Sequence, residues 1–210
     1  MVIIKTDWNK YPFKDSFINR LFLKSVWNGY KKLLNKSNLK NDIEILELGS
    51  GTGHNSYNLT KEFKVSKVTL VDSNKGALAA SKKRFKKHKV ELINDDVLKF
   101  KKKTKYDLVH SQGLIEHFQG SNLNKIIRVH ANYVKKGGYL LLFYPTPTRT
   151  YNAIRKVAEL LKLWIFSDEV PLKSEYVKNL VEKNGFRLVS STRILKYTIT
   201  EDGLLFKKIT

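Results

Sequence analysis

Three glycines alternate with small polar residues directly after an apolar run, in the stretch ILELGSGTGHN at 45–55. Gly49, Gly51 and Gly53 lack a Cβ atom, so the backbone can turn sharply and its N–H groups can approach a ligand closely. Glycine inside an element costs roughly 0.5–1 kcal/mol relative to alanine. The pattern therefore predicts a ligand-binding loop between a first strand and its helix, where open α/β sheets bind nucleotide-like ligands.

Acidic residues before and after this loop restrict the kind of ligand. Asp72 ends the next predicted strand, 19 residues after Gly53, where an acid can hydrogen-bond ribose hydroxyls. The loop reads G-x-G-x-G, His54 stands where a dinucleotide loop needs a glycine, and the Gly-Lys-Ser/Thr ending of a Walker A loop is absent. Glu47 would repel a diphosphate. It suits a cationic ligand group, or it caps nearby backbone amides.

The elements that must position these residues alternate between strand and helix patterns. The strand-like apolar runs lie at 43–48, 67–72, 89–93, 106–111 and 138–144. Helical patterns lie at roughly 53–63, 74–87 and 122–134, and an earlier helix is expected to begin near Asp15 or Ser16. This alternation predicts an α/β fold of right-handed βαβ units, with a mostly parallel sheet and helices on both faces.

The last third of the chain predicts a different ending for the sheet. Helical patterns at about 150–163 and 174–184 precede two strand-like segments at 186–195 and 203–209. The sequence TEDG, at 200–203, has turn-forming residues and is expected to connect these two strands as a hairpin. The sheet should therefore end with an antiparallel strand.

The motif ELGSGTG resembles the first motif of class I S-adenosylmethionine-dependent methyltransferases. Four later segments resemble further motifs of that family in register: LVDSN, INDDVLKF, YDLVHSQGLIEHF and VKKGGYLLLFYPT. The segment GFRLV and the final strand resemble the sixth and seventh strands, the seventh inserted antiparallel. The resemblance implies a Rossmann-like, doubly wound sheet of seven strands in a single methyltransferase domain over 1–210. It also implies an N-terminal helical cap at 1–40 and a substrate-lid insertion at 145–172.

The resemblance implies S-adenosylmethionine as the cofactor. Asp72 would hold the ribose diol, Asp96 rather than Asp95 would contact the adenine amino group, and the fourth-strand motif would line the methionine end. Amide groups of the glycine loop would meet the carboxylate. The cofactor-binding residues implied in this way are Glu47, Gly49, Ser50, Gly51, Gly53, Asp72, Ser73, Asp96, Val97, Ser111 and Gln112.

The methyl acceptor is not identified by the family, because one fold hosts many acceptors. The fourth-strand exit at 111–114 lacks the Asn/Asp-Pro-Pro-Tyr/Phe motif of amino-modifying nucleic-acid enzymes, and cytosine-C5 chemistry needs a cysteine, which this chain does not have. The segment GLIEHF resembles small-molecule methyltransferases of the ubiquinone and menaquinone biosynthesis type. We therefore expect a small-molecule acceptor. The alternatives are an RNA or ribosome-associated methyltransferase and a non-catalytic S-adenosylmethionine-binding partner subunit.

His117 is the candidate general base, because the ordinary pKa of histidine lies near the working pH. A histidine that only packs beside the cofactor is an equal alternative. Some relatives bind a divalent metal through two Glu and two His near this motif. Here Gly113 and Phe118 replace two of those ligands, so no metal is predicted. The candidate acceptor-binding residues are Tyr11, Tyr144 and Arg149.

The composition favours a folded, basic protein. The 210 residues are 41% hydrophobic and include no cysteine, which fits a reducing compartment, so we expect a cytoplasmic location. No apolar run has the length of a membrane span. Forty Lys+Arg oppose nineteen Asp+Glu, and eleven of the basic residues lie within 81–105. We expect nonspecific binding to polyanions such as nucleic acid, and the sequence leaves the oligomeric state open.

Overall fold

A seven-stranded sheet in the order β3-β2-β1-β4-β5-β7-β6 forms the centre of the molecule. The computed structural model describes Thr6, Trp8 and residues 17–39, 42–162, 164, 166–196 and 199–210. The strands are β1 (Ile43–Leu48), β2 (Val65–Asp72), β3 (Val90–Asn94), β4 (Tyr106–Gln112), β5 (Val134–Pro145), β6 (Phe186–Lys196) and β7 (Ile199–Lys208). Pairing among β1 to β5 is parallel, and β7 runs antiparallel to both its neighbours. The predicted fold class is confirmed.

Helices cover both faces of this sheet. They are α1 (Phe17–Leu34), α2 (His54–Glu62), α3 (Lys75–Arg84), α4 (Ser121–Tyr133), α5 (Arg149–Leu160) and α6 (Ser174–Glu182). Successive side chains of a strand point to opposite faces, so Leu141 and Phe143 of β5 pack towards α1, while Leu140 and Leu142 pack towards α4 and α6. Tyr30 of α1 stacks on Phe143, with ring centroids 4.8 Å apart. No helix in the described ranges is long and apolar enough to cross a membrane.

The strand order creates a switch point between β1 and β4. From β1 the chain proceeds outwards through β2 to β3, and then returns to place β4 on the other side of β1. Connections that diverge from two adjacent parallel strands leave a crevice at their carboxyl ends, where α/β proteins bind ligands. The glycine loop follows β1, and the segment containing His117 follows β4, so both lie at this edge.

The prediction of a turn at 200–203 is wrong, because these residues belong to β7. Strand β6 ends at Lys196, which pairs directly with Ile199. Gly203 faces the ring of Phe143, and a Cβ atom there would lie 2.4 Å from that ring. The glycine therefore serves close packing inside the sheet, whereas its presence beside two acids in the sequence suggested a turn.

Candidate active site

The glycine loop adopts a backbone that only glycine accepts easily. Gly49, Gly51 and Gly53 have φ angles of 63°, 51° and 64°, in the left-handed region. A Cβ atom on Gly49 would lie 2.8 Å from Leu114, and one on Gly53 would lie 2.7 Å from Leu70. Backbone conformation and close packing together explain the three glycines, and Gly53 leads directly into α2.

Asp72 is bound to the glycine loop, as expected from its position at the end of β2. Its Oδ2 accepts a hydrogen bond of 2.7 Å from the amide of Gly51, and its Oδ1 accepts one of 2.8 Å from the amide of Asn74. Burial raises the pKa of Asp72, and the two amide hydrogen bonds oppose this effect. Ser73, which follows it, is exposed.

Glu47 holds the first turn of α2. Its Oε2 accepts hydrogen bonds from the hydroxyl of Ser56, at 2.6 Å, and from the amide of Ser56, at 3.3 Å. Burial raises the pKa of Glu47 to about 8. Glu47 therefore caps a backbone amide, which is one of the two roles expected for it from the sequence. It is also a buried acid next to the glycine loop.

His110 of β4 is a neutral core histidine. Since the Ser56 hydroxyl donates to Glu47, it accepts from Nε2–H of His110 at 3.0 Å, and Nδ1 accepts from Tyr30 at 3.2 Å. Burial lowers the pKa of His110 to about 3. The histidine thus fixes the helix–sheet contact and does not titrate near neutrality.

The end of β4 connects the loop helix to β7. The Ser111 hydroxyl donates to Nε2 of His130 at 3.0 Å, so its proton is not available to a cofactor. Gln112 accepts from the side chain of Asn55 at 3.0 Å, and its own amide donates to Glu201 at 3.4 Å. Gln112 therefore lies between the start of α2 and a buried carboxylate of β7.

The loop after β3 carries the two residues assigned to the adenine end. Asp96 is exposed, and its Oδ1 accepts a hydrogen bond of 2.8 Å from the amide of Leu98, while Val97 is buried. Asn94 donates to the carbonyl of Asp72 at 3.0 Å. This bond keeps the loop beside the acid that ends β2, as the motif order requires.

His117 is paired with a carboxylate that the sequence did not indicate. It ends a short 3₁₀ turn, Ile115–His117, and its Nδ1 donates to Oδ1 of Asp168 at 2.8 Å. The Thr6 hydroxyl also donates to Asp168, and the ring of Trp8 meets the imidazole edge-on at 4.9 Å. Burial lowers the pKa of His117, and the hydrogen bond to Asp168 opposes this effect. With its proton on Nδ1, the ring presents a lone pair on Nε2.

Glu116 and Glu169 are buried next to this histidine, and the buried Glu201 interacts electrostatically with both glutamates; we call the three glutamates the acidic cluster. One potential ligand atom from each of Glu116, His117 and Glu169 lies within 4.8 Å of the others, which is close enough for a shared cation. Burial raises the pKa of Glu116 well above its usual value, raises that of Glu169, and raises that of Glu201 to about 7. The prediction that the site holds no metal stays a prediction.

Sequence reasoning missed Glu169 and Glu201 as site residues. Glu169 lies in the segment before α6, and its carboxylate accepts a hydrogen bond from the hydroxyl of Tyr151. Glu201 belongs to the segment assigned to a turn. The available signal was a pair of adjacent acids beside an apolar segment, at 168–169 and at 201–202. Exposed turns carry such pairs more often than buried sites do.

The three candidate acceptor-binding residues have different positions. Tyr144 is fully buried at the end of β5; burial raises the pKa of its hydroxyl, and the charge of Glu116 contributes to this shift. Arg149 is exposed at the first position of α5. Tyr11 lies outside the described residues. The structure thus places Tyr144 in the core beside Ser174 and Asp202, and it places Arg149 at the surface.

Two surface clefts lie apart from these residues. One, of about 450 Å³, is lined by α6, β6 and β7, including Ser174 and Arg193. The other, of about 260 Å³, lies at the amino ends of β1 and β4 and the first half of β5, near Gly138. Neither cleft is lined by a predicted site residue. The geometry of the glycine loop is therefore a better guide to the candidate active site than the size of a cleft.

The glycine loop after the first strand, the acid ending the second, and the histidine just past the fourth lie where the resemblance to class I S-adenosylmethionine-dependent methyltransferases predicts them. Residues 45–138 match the family model described as "Methyltransferase domain". The predicted resemblance to a methyltransferase domain is therefore confirmed over this part of the chain. The match includes the glycine loop, Asp72, Asp96 and His117.

A curated relative is the malonyl-[acyl-carrier protein] O-methyltransferase of Priestia megaterium. It is 32% identical over 100 residues, which are 48% of this chain and 36% of the relative. The matched part of this chain thus spans about a third of the length of that relative. The shared stretch supports the domain, and it leaves the acceptor of this chain to be argued from its own residues.

Solved structures extend the similarity to almost the whole chain. Magnesium protoporphyrin IX methyltransferase from Synechocystis PCC 6803, solved with bound SAH, has a TM-score of 0.75 at 16% identity, with 93% of this chain and 89% of that one covered. The N-methyltransferase NodS from Bradyrhizobium japonicum WM9, solved with S-adenosylhomocysteine, has a TM-score of 0.70 at 14% identity, covering 96% and 93%. At 16% and 14% identity, these similarities show that the chain shares the fold of the two structures.

Proposed function

We propose that the chain transfers a methyl group from S-adenosylmethionine to a small-molecule acceptor. The observation that carries this proposal is the 2.7 Å hydrogen bond between the Gly51 amide and Asp72, which joins the glycine loop to the acid expected to bind ribose. The methyltransferase-domain match over 45–138 and the S-adenosylhomocysteine bound in the two solved relatives support the same cofactor.

The residues around the loop fit this cofactor better than a dinucleotide. S-adenosylmethionine has a sulfonium, an ammonium and a carboxylate, and it has no phosphate. Amides at the start of α2 would face the carboxylate, and the buried carboxyl group of Glu47 can accept hydrogen bonds from the ammonium end. The buried Ser50 hydroxyl has no hydrogen-bond partner among the described residues, and a bound ligand can supply one. These features indicate which end of the ligand lies at the loop.

The proposed mechanism relies on alignment and on one proton acceptor. When bound, the cofactor supplies a methyl group already activated by its sulfonium, so the protein must orient the acceptor and exclude water. His117 is proposed as the general base, with Nε2 as the accepting atom. Asp168 is proposed as a positioning residue, because its 2.8 Å hydrogen bond fixes the tautomer of His117.

Two segments are proposed to cover the acceptor site within a single methyltransferase domain over 1–210. Thr6 and Trp8, from the predicted cap at 1–40, contact Asp168 and His117 respectively, whereas α1 itself packs on the sheet. Phe166 belongs to the predicted lid at 145–172 and lies beside both Trp8 and His117. A cytoplasmic location is part of this proposal and rests on the cysteine-free composition.

An RNA or ribosome-associated acceptor is the second candidate function. It is favoured by a cluster of exposed lysines between α3 and β4, around the edge strand β3. A non-catalytic partner subunit is less well supported, because the loop, the ribose acid and a histidine with an available lone pair are all present.

Methyl transfer from labelled S-adenosylmethionine tests the proposal directly. The acceptor panel should contain amines, carboxylates, phenols, quinols and total RNA. We expect the label on a small molecule, with turnover at limiting cofactor that falls about tenfold or more when Asp72 is replaced by alanine. Label found only on RNA would favour the second candidate. Tight cofactor binding without transfer to any acceptor would favour the non-catalytic alternative.

A further inference from the structure

We propose that the acceptor is an amine, bound as a cation by the acidic cluster and methylated on nitrogen. This inference rests on the proposed function and adds the class of substrate to it. Glu116, Glu169 and Glu201 are 1%, 6% and 4% exposed. Three buried carboxylates at one site are costly unless a positive partner balances them.

Two carboxylate oxygens of the cluster lack a hydrogen-bond donor within the described part of the chain. Oε2 of Glu116 and Oε2 of Glu201 are buried and have no hydrogen-bond partner among the described residues. Nε2 of His117 presents a lone pair, because Nδ1–H is used by Asp168, and this nitrogen lies 4.0 Å from Oε1 of Glu116. Acceptors that face one another in a buried site require protons or a cation between them. A ligand with N⁺–H groups supplies both.

The spacing of these acceptors fits an ammonium group. Charged N–H···O hydrogen bonds are about 2.8 Å long, so two acceptors on one tetrahedral nitrogen lie about 4.6 Å apart. Ligands around Mg²⁺, at about 2.1 Å from the metal, lie about 3 Å apart when adjacent and about 4.2 Å apart when opposite in octahedral geometry. The 4.0 Å between Nε2 of His117 and Oε1 of Glu116, within a set spanning at most 4.8 Å, is thus compatible with an ammonium group, and the titration with MgCl₂ described below tests the metal alternative.

Two aromatic rings beside His117 strengthen the preference of the site for a cationic ligand. Trp8 meets His117 edge-on at 4.9 Å, and Phe166 lies 6.2 Å from the same ring. Excluding water in this way lowers the local dielectric and increases the attraction of the carboxylates for a cation. An anionic carboxylate acceptor would be repelled by the same groups, although a neutral hydroxyl would not be.

The transfer step balances with the residues present. The bound ammonium gives one proton to Nε2 of His117, and the resulting imidazolium lies between Asp168 and Glu116. The freed nitrogen lone pair then forms the new N–CH₃ bond while the S–CH₃ bond breaks. The electron pair of that bond stays on sulfur, which becomes a neutral thioether. The product leaves as an N-methylated ammonium, and His117 later releases its proton to water.

Binding of three compounds of equal size but different charge tests the amine assignment. Benzylamine, benzyl alcohol and benzoate should be titrated by calorimetry into the complex of the protein with S-adenosylhomocysteine. We expect benzylamine to bind at least tenfold more tightly than benzyl alcohol, and benzoate to bind most weakly. The preference should disappear in the Glu116→Gln/Glu169→Gln double variant. It should persist in Glu175→Gln, which removes an exposed carboxylate.

The outcomes separate this inference from the proposed function. Variants that retain wild-type affinity for S-adenosylhomocysteine are folded at the cofactor site. Failure of the wild-type protein to bind that compound would overturn the proposed function itself. Cofactor binding with no preference for benzylamine, or with a preference that the double variant retains, would overturn the amine assignment alone. Titration with MgCl₂ tests whether the acidic cluster is a metal site instead. Mg²⁺ binding that requires Glu116 and Glu169, without a preference for benzylamine, would also overturn the amine assignment.

The chemical stability of the transferred methyl group gives a second readout. Methyl esters release labelled methanol in mild alkali, whereas N-methyl groups do not. We expect alkali-stable label on amines of the acceptor panel, and a tenfold or greater loss of that label in Glu116→Gln. Transfer to no amine of the panel, or label that alkali releases entirely, would overturn the assignment.

Discussion

Nδ1 of His117 lies 2.8 Å from Oδ1 of Asp168, although 51 residues separate the two in the sequence. The hydrogen bond joins the segment after β4 to the insertion between β5 and α6. It orients the imidazole so that Nε2 faces Glu116. A carboxylate in this position stabilises the imidazolium that forms when Nε2 accepts a proton, so the pair forms a base with a built-in counter-charge.

Replacing His117 by glutamine should remove the base while roughly preserving size and polarity. A general base contributes typically 10²–10⁴-fold to the rate, so we expect turnover to fall by that factor with unchanged affinity for S-adenosylhomocysteine. Labelled methyl transfer and calorimetry measure the two quantities. His88→Gln is the matched control, because His88 is exposed. If His117→Gln keeps its turnover and its pH profile, His117 has a structural role, and Tyr144 is the next residue to change.

Replacing Asp168 by asparagine should move the acid limb of the pH profile. Burial lowers the pKa of His117, while Asp168 raises it. Without the carboxylate the pKa falls further, so kcat/KM should persist to lower pH even as kcat at neutral pH decreases. The profile of the variant should be measured with the same acceptor beside Asp42→Asn, which changes an exposed carboxylate. An acid limb at the same pH in variant and wild type would argue against the pairing.

Glu201→Gln should stabilise the protein more at pH 8 than at pH 5. Burial raises the pKa of Glu201 to about 7, so the unfolded chain releases this proton at lower pH than the folded protein does. A group with a raised folded-state pKa lowers stability as the pH rises through that interval. The gap in unfolding free energy between variant and wild type should widen by about 2–3 kcal/mol from pH 5 to pH 8. Urea denaturation at both values measures it, and a constant gap would show that Glu201 is not perturbed.

The exposed lysines around the edge strand β3, which we call the basic edge, should bind polyanions but should not determine the methyl acceptor. Counterion release makes the logarithm of affinity fall linearly with the logarithm of salt concentration. We expect such a slope for total RNA, and a shallower one when four exposed lysines are changed to glutamine: Lys82, Lys83, Lys86 and Lys87. Small-molecule turnover should be unaffected. The control changes four exposed lysines elsewhere: Lys31, Lys36, Lys156 and Lys173. Equal slopes for the two variants would mean that the basic edge has no special role.

The core of the site was predictable because it depends on parallel-sheet geometry. Carboxyl ends of parallel strands share one edge, so a glycine loop after β1 and an acid ending β2 had to meet, and the Gly51–Asp72 hydrogen bond confirms this. The helix pattern at 150–163 corresponds to α5, which ends at Leu160.

The partners of His117 could not be predicted, because no local pattern records them. Asp168 lies in an irregular segment whose position depends on how the insertion folds back over the sheet. Glu201 was assigned to a turn, since acids beside glycine usually mark exposed connections. Here β7 is an inner strand between β5 and β6, so these acids are buried. At functional sites, tertiary contacts are expected to override the local structural propensity of the sequence.

The central claim is that the loop at 49–53 and Asp72 bind S-adenosylmethionine. Calorimetric titration of wild-type protein with S-adenosylhomocysteine and with NAD tests it most directly. We predict binding of the first, no detectable binding of NAD, and a loss of about 1.5–3 kcal/mol in Asp72→Ala, the range for a hydrogen bond to a charged group. Asp42→Ala should bind as the wild type does, because Asp42 is exposed. Tight NAD binding with no response to S-adenosylhomocysteine would contradict the account.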